Sequence, residues 1–220
     1  MKPLFALASL LLAVFLAASW PPSASALETE PATTTNLPSD SVYHLAVPLT
    51  DQDGKPLRFA DGRDGPRLVS MFYTSCQFVC PLIIDTLKKT ERELPEVDRA
   101  RLDVLLVSID PERDTSAALK RTAEQHGVDV PRWRLARTAK PDVRRLAAVL
   151  GIQYKQLENH EFSHSSVLVL LDAQGRIVAR SSKLGEVDAD FVAAIERTLG
   201  SSRREPSRDG TPRGTADRAG

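Results

Sequence analysis

Cys76 and Cys80 are the only two cysteines in a chain of 220 residues, and they stand four positions apart. Thiols this close can bridge, exchange electrons with another disulfide, or hold a soft metal ion. A structural bridge is the poorest use of them. It would close a very short loop, remove little entropy from the unfolded chain, and serve a domain large enough to build its own core. The spacing is CxxxC rather than the CxxC of oxidoreductases, and side chains at i and i+4 of a regular helix have Cβ atoms about 5 to 6 Å apart. A disulfide wants roughly 3.5 to 4.5 Å, so bridging needs an irregular first turn, whereas a metal ion between the sulfurs is not crowded. Two thiolates select Cu(I), Zn(II) or an iron–sulfur centre, and a third ligand narrows the choice.

Four histidines can supply that ligand. His44, early in an expected strand, and His126, near a helix end, read as surface or satisfied residues. His160 and His164 frame His160-Glu161-Phe162-Ser163-His164, which matches the HExxH zinc-protease pattern. That motif works only on a helix, which brings both rings to one face. Here Glu158-Asn159 precede it, Ser165-Ser166 and a strand follow, and no long apolar helical period surrounds it, so the match reads as chance. His164 alone remains, just before a buried strand, where a loop at the sheet edge can reach a neighbouring strand-to-helix junction.

The elements around these residues set such a junction. Arg67 to Tyr73 is a short apolar, β-rich run ending at Thr74-Ser75-Cys76. Beyond Cys80, Pro81 suits a first helical turn, and Leu82, Ile83, Leu87 and Leu94 keep helical spacing as far as Pro95. At a helix start the unpaired N–H groups and the helix dipole favour anions, which lowers thiol pKa values and makes both sulfurs available. Leu102 to Ile109 reads as a second buried strand, and Ser116 to His126 as a helix. Between them, Asp110 before Pro111 starts a turn or tunes the site, and Asp114 reads as the cap of the following helix.

Elsewhere, Val42 to Leu49 reads as a strand, with a hairpin turn signal at Asp53-Gly54. Trp133 to Ala136 and Ile152 to Leu157 read as short strands, and Pro141 to Leu150 as a helix stopped by Gly151. Ser166 to Leu171 and Arg176 to Ser181 form a hairpin, and Val187 to Leu199 a closing helix. The class is α/β, a mixed sheet covered by helices.

Three segments, in order, resemble the Sco/SenC family of copper-binding cytochrome c oxidase assembly proteins. Thr74-Ser75-Cys76-Gln77-Phe78-Val79-Cys80-Pro81 looks like their TxCPxxCP motif, and Asp110-Pro111-Glu112-Arg113-Asp114-Thr115 like their DPxRDT motif. His164, eight residues before Asp172, looks like their metal-binding histidine. The resemblance runs from about Tyr43 to Leu199. It implies a thioredoxin-like fold with a β-hairpin insertion and a copper site, Cu(I) or Cu(II), formed by Cys76, Cys80 and His164. The implied role is to deliver copper to, or reduce the cysteines of, the binuclear copper centre of cytochrome c oxidase subunit II. Two positions depart from the family: Gln77 stands where proline is usual, and Ser163 where an aspartate often precedes the histidine. Neither replaces a ligand, and both leave room for another periplasmic copper client. Two thiolates and Cu(I) carry a charge of about −1, which the helix dipole and Arg113 partly offset.

Residues 1–26 have the layout of a secretory leader: Lys2, an apolar run from Leu4 to Trp20, two prolines, then Ala24-Ser25-Ala26. An uncleaved anchor is the alternative, because the run approaches the roughly 18 to 20 residues that span a bilayer. Either way the domain is exported to the periplasm, where thiols meet an oxidising compartment. No cysteine lies near the leader to carry a lipid. Residues 27–41 read as a flexible linker, 42–200 as the domain, and 201–220 as a disordered tail. Formal net charge is zero and no basic block is interleaved with aromatics, which excludes nucleic acid as a partner. A monomer is the default. A thiol–disulfide reductase without stored copper is the competing function, with Cys76 attacking and Cys80 resolving. A peroxidase is disfavoured because Ser75-Cys76 lacks the expected threonine arrangement.

Overall fold

The computed structural model describes residues 37–61, 65–76, 78–130 and 132–202. The leader, residues 27–36 of the linker, Gln77 and the tail beyond Ser202 lie outside the described residues.

Two buried runs form the middle of the sheet. Strand β3 (Arg67–Phe72) is buried at every position, and β4 (Asp103–Ser108) at all but its first. They pair in parallel, Arg67 opposite Asp103 through Phe72 opposite Ser108. Near-continuous burial of this kind requires cover on both faces of the sheet, which helices supply. Outside this pair lie β1 (Pro48–Asp51), β2 (Pro56–Arg58), β5 (Trp133–Arg137), β8 (Leu168–Leu171) and β9 (Ile177–Ser181). The sheet order is β2-β1-β5-β4-β3-β8-β9, mixed in direction, with β5 parallel to β4 and β8 antiparallel to β3. Buried Leu, Val, Ile and aromatic side chains fill the core around Trp133, Phe59, Phe72 and Met71. Each fully buried large apolar side chain contributes about 1.5–3 kcal/mol.

The helices are α1 (Val79–Arg92), the short α2 (Glu96–Arg99), α3 (Ser116–Gln125), α4 (Lys140–Leu150) and α5 (Ala189–Ser202). Pro81 lies in the first turn of α1, and α4 ends at Gly151 in the left-handed region at φ 70°, where glycine carries no steric penalty. Among the described residues no helix is long and apolar enough to cross a membrane.

A separate two-stranded sheet stands apart from the main one: β6 (Tyr154–Gln156) pairs antiparallel with β7 (Phe162–His164). This is the β-hairpin insertion. It also settles the HExxH segment, since His160 sits in a turn at φ 63° and His164 ends a strand, so the two rings never share a helix face.

Three local expectations are corrected. Val42 to Leu49 is not one strand: Val42–His44 form a 3-10 turn capped by the Ser41 side chain, and β1 starts only at Pro48. His44 therefore lies in that turn, with Nε2 at 2.8 Å from the Pro38 carbonyl. Asp114 does not cap α3. Thr115 does so, its side chain accepting from the Ala118 N–H.

Candidate metal centre

The cysteines occupy the strand-to-helix junction after β3, but not on one helix face. Cys80 is inside α1 and Cys76 lies three residues before it. No side chain of Phe78, the helix's N-cap, satisfies the first amides. The Cys76 sulfur takes that place, accepting from the Cys80 N–H at 3.4 Å. Helix N-termini offer unpaired N–H groups and positive potential to such a sulfur. Burial, the largest influence on Cys76, opposes ionisation, but the N–H groups of Cys80, Phe78 and Val79 together outweigh it and hold the thiol below its ordinary value. Cys80 is the opposite case. It is 3 % exposed, and burial pushes its thiol well up despite the Tyr73 N–H donated to its sulfur, with nearby Cys76 adding to the rise. The expectation of two acidified thiols thus holds for Cys76 alone, because one residue accepts the helix amides and the other is packed beneath them. Both are free thiols.

The loop after β4 fixes the approach to this junction. Asp114, fully buried, accepts from the Thr74 N–H and hydroxyl and from the Ser108 hydroxyl. Its carboxyl lies above the ordinary range because burial outweighs these bonds. Asp110 both starts the turn, its carbonyl accepting from Arg113 and Asp114, and pairs with the Arg113 guanidinium. Arg113 also donates to the His160 carbonyl at 2.6 Å, so the Asp110 to Thr115 segment touches the hairpin.

The hairpin presents His164 to the same side. The imidazole is largely buried, and burial lowers its pKa, which favours the neutral ring. Its Nδ1–H donates to the Ser165 carbonyl at 3.4 Å, and Nε2 is buried with no hydrogen-bond partner among the described residues. A cavity of about 570 Å³ lies between hairpin and junction, lined by Tyr73, Cys76, Phe78, Glu161, Phe162 and His164 among others. Cys76 and His164 therefore share one cavity, while the buried Cys80 is not among the residues that line it. Among the described residues no three His, Cys, Asp or Glu side chains are already gathered as a metal-holding group.

Two participants escaped the sequence reading. Tyr73 looked like the end of a core strand, yet its hydroxyl donates to Glu161 at 2.8 Å and its ring meets His164 edge-on at 6.0 Å. Burial first, and then the bond to Glu161, holds the phenol well above its usual pKa. Glu161 had been set aside together with the HExxH match. No local pattern signals a pair 88 positions apart.

The family model described as SCO1/SenC matches residues 41–200, and the chain belongs to that family. A curated relative from Stutzerimonas stutzeri, named "Putative copper-binding protein", is 25% identical over 134 residues, which is 59% of this chain and 64% of the relative. The match thus spans a little under two thirds of that relative's length. Among solved structures, Bradyrhizobium japonicum ScoI with copper bound is 23% identical with a TM-score of 0.59, covering 70% of this chain and 97% of its own. BsSco, described as a member of the Sco family of cytochrome c oxidase assembly proteins, is 18% identical with a TM-score of 0.59, covering 70% of this chain and 92% of its own. At these identities the structural likeness establishes the thioredoxin-like fold of the Sco proteins.

Proposed function

We propose that the protein is an exported copper carrier of cytochrome c oxidase assembly, holding its cargo through Cys76, Cys80 and His164. The observation that carries this reading is the buried His164 Nε2, without a hydrogen-bond partner among the described residues, in a side chain that lines the same cavity as Cys76. A buried nitrogen lone pair without a partner is costly in a structural role. With Nδ1–H given to a backbone carbonyl, it is the tautomer that a metal-ligating histidine uses. Two sulfurs and an imidazole form a soft, low-coordinate donor set that suits Cu(I). The donors are close but not preassembled, as suits a carrier that accepts and surrenders its metal. Cys76, the partly exposed and acidic thiol, is the first to meet incoming copper. Cys80 must give up its proton as the ligand set completes, so uptake releases protons. Membership of the SCO1/SenC family supports copper as the cargo, and this reading takes the binuclear centre of oxidase subunit II as the site of delivery.

The test is anaerobic titration of the reduced chain with Cu(I) against a calibrated chelator. The expected result is one tightly held copper per chain, lost in His164→Ala and Cys80→Ser and retained when His44, His126 or His160 is replaced by alanine. Copper binding unchanged in His164→Ala overturns the ligand assignment.

A second reading rests on the contrast between the two thiols. A partly exposed, acidic cysteine beside a buried, weakly acidic one is the arrangement of attacking and resolving sulfurs. The Cys76 thiolate would attack a client disulfide to form a mixed disulfide. Cys80, losing its proton, would then displace the client thiolate and leave a Cys76–Cys80 bridge, two electrons having passed to the client. If the wild-type chain binds no copper while its bridge equilibrates with a thiol buffer, this reading replaces the first.

A further inference from the structure

The hairpin carrying His164 reaches the remainder of the domain through few polar contacts. Among the described residues, the side-chain hydrogen bonds tying its turn and second strand to the rest come from two residues, Arg113 and Tyr73. Arg113 donates to the His160 carbonyl. Tyr73 does more. Its hydroxyl donates to Glu161 Oε2 at 2.8 Å and accepts from the Phe162 N–H at 3.4 Å. Its ring packs edge-on against Phe162 at 5.4 Å and His164 at 6.0 Å. Its backbone N–H meanwhile donates to the Cys80 sulfur. One residue thus holds the cysteine side with its backbone and the histidine side with its side chain.

We propose that Tyr73 is a positioning residue, whose hydroxyl, by bonding Glu161, latches the β6–β7 hairpin to the end of β3 and sets where His164 stands relative to the cysteines. The inference rests on the copper reading for its functional consequence but not for its structural content. The ring contacts would survive in phenylalanine, so the hydroxyl and its partner carboxylate are the specific elements. Glu161 lies three residues before His164 in the same hairpin arm, so freeing it loosens the segment on which the imidazole rides. A single hydrogen bond of this kind corresponds to about a threefold to tenfold change in the equilibrium it supports.

The test compares Tyr73→Phe, Glu161→Ala, Glu161→Gln and the double variant Tyr73→Phe/Glu161→Ala with wild type. Metal-free amide hydrogen exchange is read across the chain, and Cu(I) affinity by chelator competition. Tyr73→Phe is expected to speed exchange of the β6 and β7 amides about threefold to tenfold while leaving β3 and β4 unchanged, and to weaken copper binding by a similar factor. Glu161→Ala should match it, the double variant should be no worse than either single one, and Glu161→Gln, which keeps an accepting oxygen, should fall nearer wild type. Unchanged hairpin exchange in Tyr73→Phe, or additive losses in the double variant, overturns the latch. Faster exchange with undiminished copper affinity overturns its role in placing His164. A wild-type chain that binds no copper refutes the copper reading instead, and exchange alone then decides the latch.

Discussion

Thr74 and Asp114 are joined across 40 positions of sequence: the Thr74 hydroxyl donates to Asp114 Oδ1 at 2.5 Å, and the Thr74 N–H lies 3.1 and 3.2 Å from the two carboxylate oxygens. The Ser108 hydroxyl donates to the same carboxylate at 2.5 Å. The end of β3, immediately before the cysteines, is thereby tied to the loop leaving β4. The chain must turn sharply between Tyr73 and α1, and this carboxylate holds the turn.

Replacing Asp114 by alanine strands the buried Ser108 hydroxyl and the two partly buried donors of Thr74, and the expected loss is about 2–4 kcal/mol, read from urea unfolding. Asparagine keeps one accepting oxygen and should lose less. The two also differ in pH dependence. Burial raises the Asp114 carboxyl in the folded state, so the native protein holds that proton more tightly than the unfolded chain. The contribution is full below the unfolded value of about 3.9 and is lost as pH rises through the folded one. The stability of Asp114→Asn relative to wild type should therefore rise as pH climbs above about 4.

The two thiols should differ sharply toward an alkylating agent. Cys76 is partly exposed and acidic, and Cys80 is buried and weakly acidic. In the metal-free reduced chain, Cys80→Ser should leave rapid alkylation, with a midpoint below the ordinary cysteine value of about 8.5. Cys76→Ser should be nearly inert until the protein unfolds. Equal rates in the two variants would contradict the assigned asymmetry.

Gly175 turns the chain between β8 and β9 at φ +79°, and a Cβ there would lie 2.6 Å from Tyr43 Cγ and 2.7 Å from Ser41 Oγ. Its carbonyl also accepts from the Val42 N–H. Alanine combines left-handed strain with a clash, an expected cost of about 2–4 kcal/mol. At the usual conversion for a domain of this size, the melting temperature falls by roughly 6–12 °C. Copper affinity should be unaffected, because the contact is remote from the cavity.

Glu91, 5 % exposed, accepts from the Trp133 indole at 3.1 Å and from Arg132 at 2.9 Å. Glu91→Leu leaves the indole N–H without its acceptor and takes from Arg132 one of its two carboxylate partners, Asp129 remaining, for an expected loss of about 2 kcal/mol. Glu91→Gln should cost about 1 kcal/mol. Trp133 is the one tryptophan outside the leader segment, so its emission reports both changes alongside thermal melts.

The parts of this molecule legible in its sequence are those decided locally or by burial. The uniform apolar runs of β3 and β4, Pro81 at the start of α1 and Gly151 at the end of α4 all stand where their chemistry places them. Short edge elements were harder to read. β2 is three residues with a proline and no alternation, and α2 is a single turn, so neither carries a periodic signal. The 3-10 turn at Val42–His44 depends on the Ser41 hydroxyl, which itself donates to the distant Gln174 carbonyl. Asp114 was misread for a similar reason. In Asp114-Thr115-Ser116 each residue is able to cap a helix, and the choice is made by Thr74 and Ser108, which claim the carboxylate from elsewhere in the fold. Motif order singles out Cys76, Cys80 and His164, whereas the unequal acidity of the thiols and the Tyr73–Glu161 contact arise only from packing.

The ends of the seven-stranded sheet have a consequence for how the protein meets its own copies. One border is β2, with Pro56 in place of an amide donor and exposed Arg58. The other is β9, which bears exposed Arg180 and adjoins a register shift at Leu170 and Leu171. A proline, a guanidinium and an irregular ladder each discourage a foreign strand from extending a sheet. The fold therefore closes itself against fibril-like growth at both margins, a safeguard for a mixed sheet whose borders are otherwise open to other chains.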